Sequence, residues 1–207
     1  LESQHPTEID LGLDRVLVVA EALGVLRGAP KTVTVAGTNG KGSVAALLTA
    51  GLKAMGQVVG TYASPHLLRF NERISIDGGE AEDAEIVAAF EHIEAARGDV
   101  SLTYFESATL AALWLFRQRK VDVQVLEVGL GGRLDAVNIL DADVSVITSI
   151  GLDHLDWLGP DRASISREKA GIARQNRPCI VAESDPPDAL LAALNDRGAE
   201  TLLIDRD

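Results

Sequence analysis

The chain has 207 residues, 46% of them hydrophobic, which is enough to bury the core of one ordinary domain. Its net charge of −12 argues against a nucleic-acid-binding surface, because phosphate backbones are bound by basic patches. No apolar run approaches the roughly 18 residues of a membrane helix, and no basic segment precedes a signal-peptide cleavage site. The single cysteine, Cys179, cannot form an internal disulfide. We therefore expect a soluble cytoplasmic protein with neither nucleic-acid nor membrane partners.

Apolar, β-branched runs alternate with helical patterns along almost the whole chain. The predicted helices are Leu13–Leu23, Val44–Met55, Ala84–Arg97, Ser107–Arg119, Ser164–Ala173 and Pro187–Arg197. The predicted strands are Thr32–Ala36, Val58–Tyr62, Val121–Val128, Val144–Ile150, Cys179–Ala182 and Leu202–Ile204. This alternation predicts an α/β fold, with a mostly parallel sheet covered by helices on both faces. In such a sheet the ligand binds beyond the carboxyl ends of the strands.

A glycine-rich turn follows the first predicted strand. Residues 36–43 read Ala-Gly-Thr-Asn-Gly-Lys-Gly-Ser, and an Ala- and Leu-rich helical stretch comes next. The backbone N–H groups of such a turn can hold phosphates, and Lys41 can reach them as a point charge. The spacing is unusual, since Gly42 separates Lys41 from Ser43 where most P-loops have Ser or Thr directly after Lys. The turn predicts a nucleotide triphosphate site, the alternative being a tightly packed turn that binds nothing.

The second strand is followed by a long loop with one hydroxyl and two arginines. Ser64 stands at its start, and Arg69 and Arg73 follow where the phosphates of a nucleotide would lie. Ser64 could ligate Mg²⁺, because this ion, when it binds phosphates, takes few protein oxygens and keeps several waters. The alternative is a hydroxyl that caps a turn before Pro65.

Later strand ends carry further candidates. Glu127 closes a buried strand, where a carboxylate is costly unless it is paired or bound to a metal, so Mg²⁺ is favoured over a buried ion pair. The glycines after it allow a ligand to approach closely, and Arg133 or Asp135 could contact that ligand. His154 follows the next strand beside two carboxylates, as either a ligand or a structural histidine. By spacing alone, Lys169 is a solvated helix residue paired with a carboxylate.

Taken together, six segments resemble the bacterial bifunctional dihydrofolate synthase/folylpolyglutamate synthases. These enzymes belong to the Mur-ligase-like, ATP-dependent amide ligases, whose ATP-binding domain has a P-loop NTPase-like fold. The resemblance runs in the same order from about Glu8 to the chain end, and the Gly-Thr-Asn-Gly-Lys-Gly-Ser/Thr turn is this family's own form of the loop. The segments that carry it are 36–43, 64–67, 102–106, 126–135, 153–154 and 167–171.

The resemblance implies an ATP- and Mg²⁺-dependent ligase that joins L-glutamate to dihydropteroate and to folate glutamate tails. Lys41 and Lys169 would be the catalytic residues, and Lys169 corresponds to a lysine that the family carries as a carbamate. The cofactor residues would be Thr38, Asn39, Gly40, Lys41, Gly42 and Ser43. The metal ligands would be Ser64, Glu127, His154 and Lys169. The pterin substrate would contact Ile9, Asp10, Leu11, Thr103, Tyr104, Phe105, Glu106, Leu134, Asp135 and Ala136.

The chain begins with Leu1, and only three residues follow its last predicted strand, so we interpret it as a piece of a longer protein. The resemblance implies that residues 1–207 form the N-terminal ATP- and pterin-binding domain, and that a second, glutamate-binding α/β domain follows in the family. We expect the full-length protein to be a monomer. We expect the present chain to fold and to bind ligands weakly, without completing the ligase reaction.

Other functions share parts of this pattern. A P-loop nucleotide switch or motor ATPase would use the same cradle, but such proteins usually place an Asp after the strand and lack the Asp-His and Arg-Glu-Lys segments seen here. A peptidoglycan-precursor ligase would share the mechanism and act on a nucleotide-sugar peptide. A monofunctional folylpolyglutamate synthase would extend glutamate tails only, whereas the Ile-Asp-Leu-Gly-Leu and Leu-Thr-Tyr-Phe-Glu segments favour the bifunctional enzyme. A fragment that only binds nucleotide is a further alternative.

Overall fold

The computed structural model describes residues 9–26 and 30–204, and within these ranges eight strands form one sheet in the order β4-β3-β2-β5-β1-β6-β7-β8. The strands are β1 (Lys31–Ala36), β2 (Val59–Tyr62), β3 (Ile74–Ile76), β4 (Gly79–Glu80), β5 (Val123–Glu127), β6 (Val144–Ile147), β7 (Pro178–Val181) and β8 (Glu200–Leu203). The six strands from β2 to β8 in this order are parallel, and β3 and β4 form an antiparallel hairpin at one edge.

The helices connect these strands. They are α1 (Asp14–Leu23), α2 (Lys41–Ala54), α3 (Asp83–Arg97), α4 (Tyr104–Gln118), α5 (Leu155–Leu158), α6 (Arg162–Ala170) and α7 (Asp188–Asp196), with short 3₁₀ turns at Phe70–Arg73 and Ala136–Ile139. None of the helices within the described ranges is long and apolar enough to cross a membrane.

The two faces of the sheet are covered unequally. Alternate strand residues point to opposite faces, so Val35 and Ala36 of β1 belong to different hydrophobic clusters. The cluster around Ala36 is the larger one and includes the buried hydrophobic residues of α1, α3, α4, α6 and α7. The cluster around Val35 is small and lies against α2, which contributes Ala45. The prediction of a mostly parallel sheet with helices on both faces is confirmed.

The sequence-based boundaries agree with the structure to within a few residues, but the one-turn helix α5 and the β3–β4 hairpin were not predicted. The β3–β4 hairpin lies between the second predicted strand and the helix at 83–97, where periodicity indicated only a loop. Its strands have three and two residues, too short for an alternating pattern to show. The predicted domain covers residues 1–207, and its residues 1–8, 27–29 and 205–207 lie outside the described ranges.

Candidate functional site

The glycine-rich turn joins the carboxyl end of β1 to the first turn of α2. The end of β6 anchors it: the Thr38 N–H donates to the Ser149 carbonyl at 2.9 Å, and the Asn39 N–H donates to Ser149 Oγ at 3.0 Å. Gly40 has φ +81°, a left-handed conformation that glycine adopts without strain. The first intrahelical bond runs from the Val44 N–H to the Gly40 carbonyl, so the N–H groups before Val44 have no partner within the helix.

Lys41 lies at the start of this helix and folds back over the turn. Its Nζ donates to the carbonyls of Gly37 at 3.1 Å and Thr38 at 3.4 Å. These are weak, neutral partners that an anion could replace with a charge-assisted bond. The turn therefore combines a helix N-terminus, whose first N–H groups have no intrahelical partner, with a lysine side chain, which is the chemistry that binds phosphate.

A cavity of about 900 Å³ opens beside Lys41, at the carboxyl ends of the central strands. All ten predicted substrate residues line it, together with Lys41, Ser64 and His154. The other lining residues are Arg73 and Gly129, which the sequence had indicated as possible ligand neighbours, and Gly12, Pro65, His66 and Leu130, to which it gave no role. The remaining predicted cofactor residues, together with Glu127 and Lys169, are not among the lining residues. The volume suits a drug-sized organic ligand.

Arg15 of α1 holds one wall of the cavity in place. Its guanidinium donates to Asp10 Oδ2 at 2.7 Å, to the Asp10 carbonyl at 2.9 Å and to Glu106 Oε1 at 3.0 Å. Glu106 is buried, and its other oxygen accepts the Thr103 N–H at 2.7 Å in a capping box that begins α4. Arg15 thus joins the segment at 9–12 to the start of α4, although nothing in its sequence spacing indicated this role.

Asp135 organises the loop after β5. Its carboxylate accepts the N–H groups of Leu130 at 2.8 Å and Val137 at 3.0 Å. Burial raises its pKa to about 6, although these hydrogen bonds and the charge of Lys41 act in the opposite direction. Asp135 is thus a structural acceptor at the cavity wall as well as a predicted substrate contact.

Ser64 and Glu127, two of the four predicted metal ligands, are neighbours. The Ser64 N–H donates to Glu127 Oε2 at 3.2 Å. Glu127 is 4% exposed, and burial raises the pKa of its carboxyl, while the bond from Ser64 and the charge of Lys41 act to lower it. No cation lies within 4.0 Å of Glu127 in the described part of the chain, so a buried ion pair does not account for it. A carboxylate and a serine hydroxyl from adjoining residues are oxygen donors of the kind that hard divalent cations prefer.

The other two predicted ligands occupy different surroundings. The side chain of His154 is about half exposed, and its Nε2 lies 3.6 Å from Asp153 Oδ2. Within the described ranges, no group of three or more His, Cys, Asp or Glu side chains is arranged to hold a metal ion. The protein atoms alone therefore supply only part of a coordination shell, as is usual where phosphate and water oxygens complete it.

Lys169 is buried, so its interpretation as a solvated, paired residue is wrong. The residue is 4% exposed, and its pKa is lowered to about 8, chiefly by burial and also by the charge of Lys41, against the attraction of Asp153 and Asp135. Glycine packing explains the burial: a Cβ atom on Gly132 would lie 2.8 Å from the Glu168 carbonyl, so only glycine lets the loop after β5 contact α6 this closely. Sequence periodicity cannot show such packing between segments.

The two arginines of the 64–73 loop lie in different places. Arg69 is exposed and donates to Glu80 Oε2 at 2.6 Å, and it is not among the residues that line the cavity; its position beside the phosphates stays a prediction. Arg73 is 8% exposed and does line the cavity. Arg73 and Asn71 are the buried residues of the 3₁₀ turn Phe70–Arg73.

Comparison with known proteins agrees with this geometry. The family profile of the Mur ligase middle domain matches residues 35–206. The chain is 57% identical over 199 residues to the Escherichia coli dihydrofolate synthase/folylpolyglutamate synthase, a match covering 96% of this chain and 47% of that protein. The chain thus spans about half the length of the curated relatives it matches.

Two solved structures show the same fold. The structure described as Escherichia coli FolC in complex with DHPP and ADP superposes with a TM-score of 0.96 at 56% identity, over 98% of this chain and 49% of that one. A bifunctional folylpolyglutamate synthase/dihydrofolate synthase with Mn, AMPPNP and L-glutamate bound superposes with a TM-score of 0.92 at 56% identity. The match covers 98% of this chain and 49% of that one.

Proposed function

Because the chain belongs to the Mur ligase middle-domain family, we propose that it is the ATP- and pterin-binding part of a bifunctional dihydrofolate synthase/folylpolyglutamate synthase. The observation that carries this proposal is the shared cavity: the lysine of the phosphate cradle and all ten predicted substrate residues face one space. The reaction is the ATP-dependent joining of L-glutamate to dihydropteroate and to folate glutamate tails.

A carboxylate is a poor electrophile at neutral pH, so amide formation requires that one of its oxygens become a leaving group. The substrate carboxylate attacks the γ-phosphorus of ATP, forming an acyl phosphate and releasing ADP. The glutamate amine then attacks the acyl carbon and displaces inorganic phosphate through a tetrahedral intermediate. Such phosphoryl transfer depends on positioning and charge neutralisation, which Lys41 and the first N–H groups of α2 supply.

Mg²⁺ fits the acidic end of the cradle. Ser64, Glu127 and His154 would hold Mg²⁺, and Lys169, as its carbamate, would provide an anionic ligand for a second ion. Bound Mg²⁺ neutralises phosphate charge. The lowered pKa of Lys169, about 8, supports the carbamate, because a neutral amine is the form that adds to CO₂.

Residues 1–207 are the ATP- and pterin-binding domain in this proposal, and glutamate ligation needs the further length that the relatives have. The full-length protein is a cytoplasmic monomer that acts on small molecules, with no nucleic-acid or membrane partner. The negative charge supports this partner assignment, and Cys179, buried and unpaired, is compatible with a reducing compartment.

Ligand-induced thermal stabilisation tests the proposal. Dihydropteroate at 100 times its Kd should stabilise the protein by about 2.7 kcal/mol, because a ligand that binds only the folded state shifts the unfolding equilibrium. A UDP-sugar peptide should give no shift. Stabilisation by the UDP-sugar peptide alone would favour a peptidoglycan-precursor ligase. Stabilisation by Mg-ATP, but by neither dihydropteroate nor the UDP-sugar peptide, would favour a nucleotide switch.

A further inference from the structure

Arg73 is a buried cation in the cavity for which the proposed function has no role so far. The residue is 8% exposed and lines the cavity. Its Nε donates to His66 Nδ1 at 2.8 Å. No carboxylate of the described residues lies within 4.0 Å of its nitrogens. A buried charge without a counter-charge is costly, so the fold holds Arg73 in an unfavourable state.

The carboxylates of the cavity have other partners. Asp10 and Glu106 share the guanidinium of Arg15, at 2.7 and 3.0 Å. Asp135 is satisfied by the backbone N–H groups of Leu130 and Val137. The positive charge of Arg73 therefore remains uncompensated within the wall of the described cavity.

Aromatic rings fix the orientation of this guanidinium. Its Cζ lies 5.3 Å from the centre of the Tyr104 ring and 6.0 Å from that of Phe70, and the two rings meet edge to face. These cation–π contacts hold the planar group without neutralising it. Nε donates to His66, and the guanidinium also hydrogen-bonds the neutral side chain of Tyr62. Its remaining N–H donors can pair with a carboxylate.

We propose that Arg73 binds the carboxylate of the acid substrate and orients it for attack on ATP. The inference rests on the proposed function, which supplies an acid substrate to this cavity. Arg73 thereby becomes a specificity-determining residue that selects an acid over its neutral analogues. Its neighbour His66, which accepts the Nε–H, is a positioning residue.

Binding of a matched pair of probes tests the inference. Dihydropteroate and its carboxamide differ only in the charged group, and calorimetry gives the ratio of their affinities. In the wild-type protein the acid should bind about 10- to 100-fold more tightly, the range expected for a charge-assisted pair. In Arg73→Met the affinity for the acid should fall to that for the carboxamide, while carboxamide binding stays within about twofold of wild type.

Arg69→Met is the matched control, because Arg69 lies on the same loop but is exposed and paired with Glu80; it should keep the wild-type ratio. A wild-type ratio in Arg73→Met would overturn the inference. An equal loss of affinity for the acid and the carboxamide would also overturn it, because that result indicates packing alone. So would a loss of Mg-ADP affinity with an unchanged acid-to-carboxamide affinity ratio, which would assign Arg73 to the nucleotide phosphates. A wild-type protein that binds neither probe would instead refute the proposed function, and this inference with it.

If Arg73→Met does not fold, the wild-type protein supplies the test. The guanidinium ¹⁵N signal of Arg73, assigned by its absence from Arg73→Lys, should shift when dihydropteroate is added and stay in place with the carboxamide. Equal shifts with the two probes, or none with the acid, would overturn the inference.

Discussion

Gly42, in the first turn of α2, lies against the buried carboxylate of Glu127: a Cβ atom at position 42 would stand 3.5 Å from Glu127 Oε2. The extra glycine that makes the cradle unusual therefore faces the carboxylate assigned to Mg²⁺. A single methyl group fits at this distance, whereas a longer side chain would cover the carboxylate. The irregular spacing has a physical reason in the contact between the cradle and the end of β5.

Substitutions of Gly42 should separate helix stability from metal binding. Gly42→Ala should keep Mn²⁺ binding and increase the free energy of unfolding by about 0.5–1 kcal/mol, because alanine favours the helix. Gly42→Leu should fold but lose Mn²⁺ affinity in the presence of an ATP analogue, measured by electron paramagnetic resonance. Gly51→Leu is the control, since a Cβ atom at position 51 would meet nothing within 4 Å beyond the backbone of the same helix. Normal Mn²⁺ binding by Gly42→Leu would contradict the assignment of Glu127.

Lys41→Ala should abolish ATP turnover in the intact enzyme. The lysine supplies the side-chain cation of the cradle, and loss of one such electrostatic contact costs about 10²- to 10³-fold in rate. Turnover is measured as folate-dependent ADP release. Lys53→Ala, at the far end of the same helix, should remain active. Near-normal turnover by Lys41→Ala would contradict the ligase assignment.

Lys169→Met should stabilise the protein at pH 7. The pKa of Lys169 is lowered to about 8, so below this pH the folded state carries a buried charge at a cost, and the unfolded state does not. Removing the amine should raise the free energy of unfolding by about 1–3 kcal/mol. The gain should shrink as the pH rises above 8 and vanish near 10.5, where the amine is neutral in both states.

Denaturant unfolding across this pH range, in metal- and CO₂-free buffer, provides the measurement. Lys31→Met is the control, since Lys31 is 73% exposed and its pair with Asp143 should contribute less than about 1 kcal/mol. A destabilised Lys169→Met protein at pH 7 would show that the lysine makes favourable contacts that outweigh its burial.

Gly129→Ala should disturb the substrate side of the cavity. A Cβ atom at this position would lie 2.6 Å from the Phe105 ring, which packs on Tyr62 with ring centres 5.9 Å apart. The collision should lower the free energy of unfolding by about 1–3 kcal/mol. It should also weaken dihydropteroate binding, because Phe105 must move within the cavity wall. Thermal unfolding and calorimetry report the two effects. Gly51→Ala should instead be neutral or stabilising, and a Gly129→Ala protein that behaves like it would refute this packing argument.

Arg15→Met should loosen the wall formed by residues 9–12. The change leaves the 4% exposed Glu106 without its cation, and we expect a loss of about 1–3 kcal/mol in the free energy of unfolding. Hydrogen exchange at residues 9–12 should accelerate, and dihydropteroate affinity should fall. Arg15→Met/Glu106→Gln should recover part of the stability, because the double variant buries no unpaired charge. No recovery would mean that Arg15 acts mainly through Asp10.

Strand ends are where sequence reasoning about this protein succeeded. Parallel strands bring their carboxyl ends to one edge, so residues after β1, β2, β5 and β6 could be assigned to one region before any contact was known. The ten substrate residues, which the family resemblance implied, come from three distant segments and line one cavity beside these strand ends. Their roles in binding remain proposals.

Sequence reasoning failed where contacts between distant segments determine whether a side chain is buried and which partner it has. Arg69 and Arg73 look equivalent in the sequence, yet one pairs with Glu80 at the surface and the other lines the cavity, because the hairpin that follows them fixes the direction of the loop. Arg15 lies in a helix with no motif around it, and only the fold brings it to Glu106. By its sequence spacing Lys169 is predicted to lie on the surface. It is buried because Gly132 allows the loop after β5 to pack against α6.

The sequence alone determined the alternation of strands and helices, the phosphate cradle and the family, since these depend on local periodicity and on motifs that are contiguous in the chain. The tertiary structure alone decided which charges are buried and which have partners. Burial and ion pairing are set by distances between segments that lie far apart in sequence, such as Gly42 and Glu127, and these distances follow from the packing of helices and loops on the sheet.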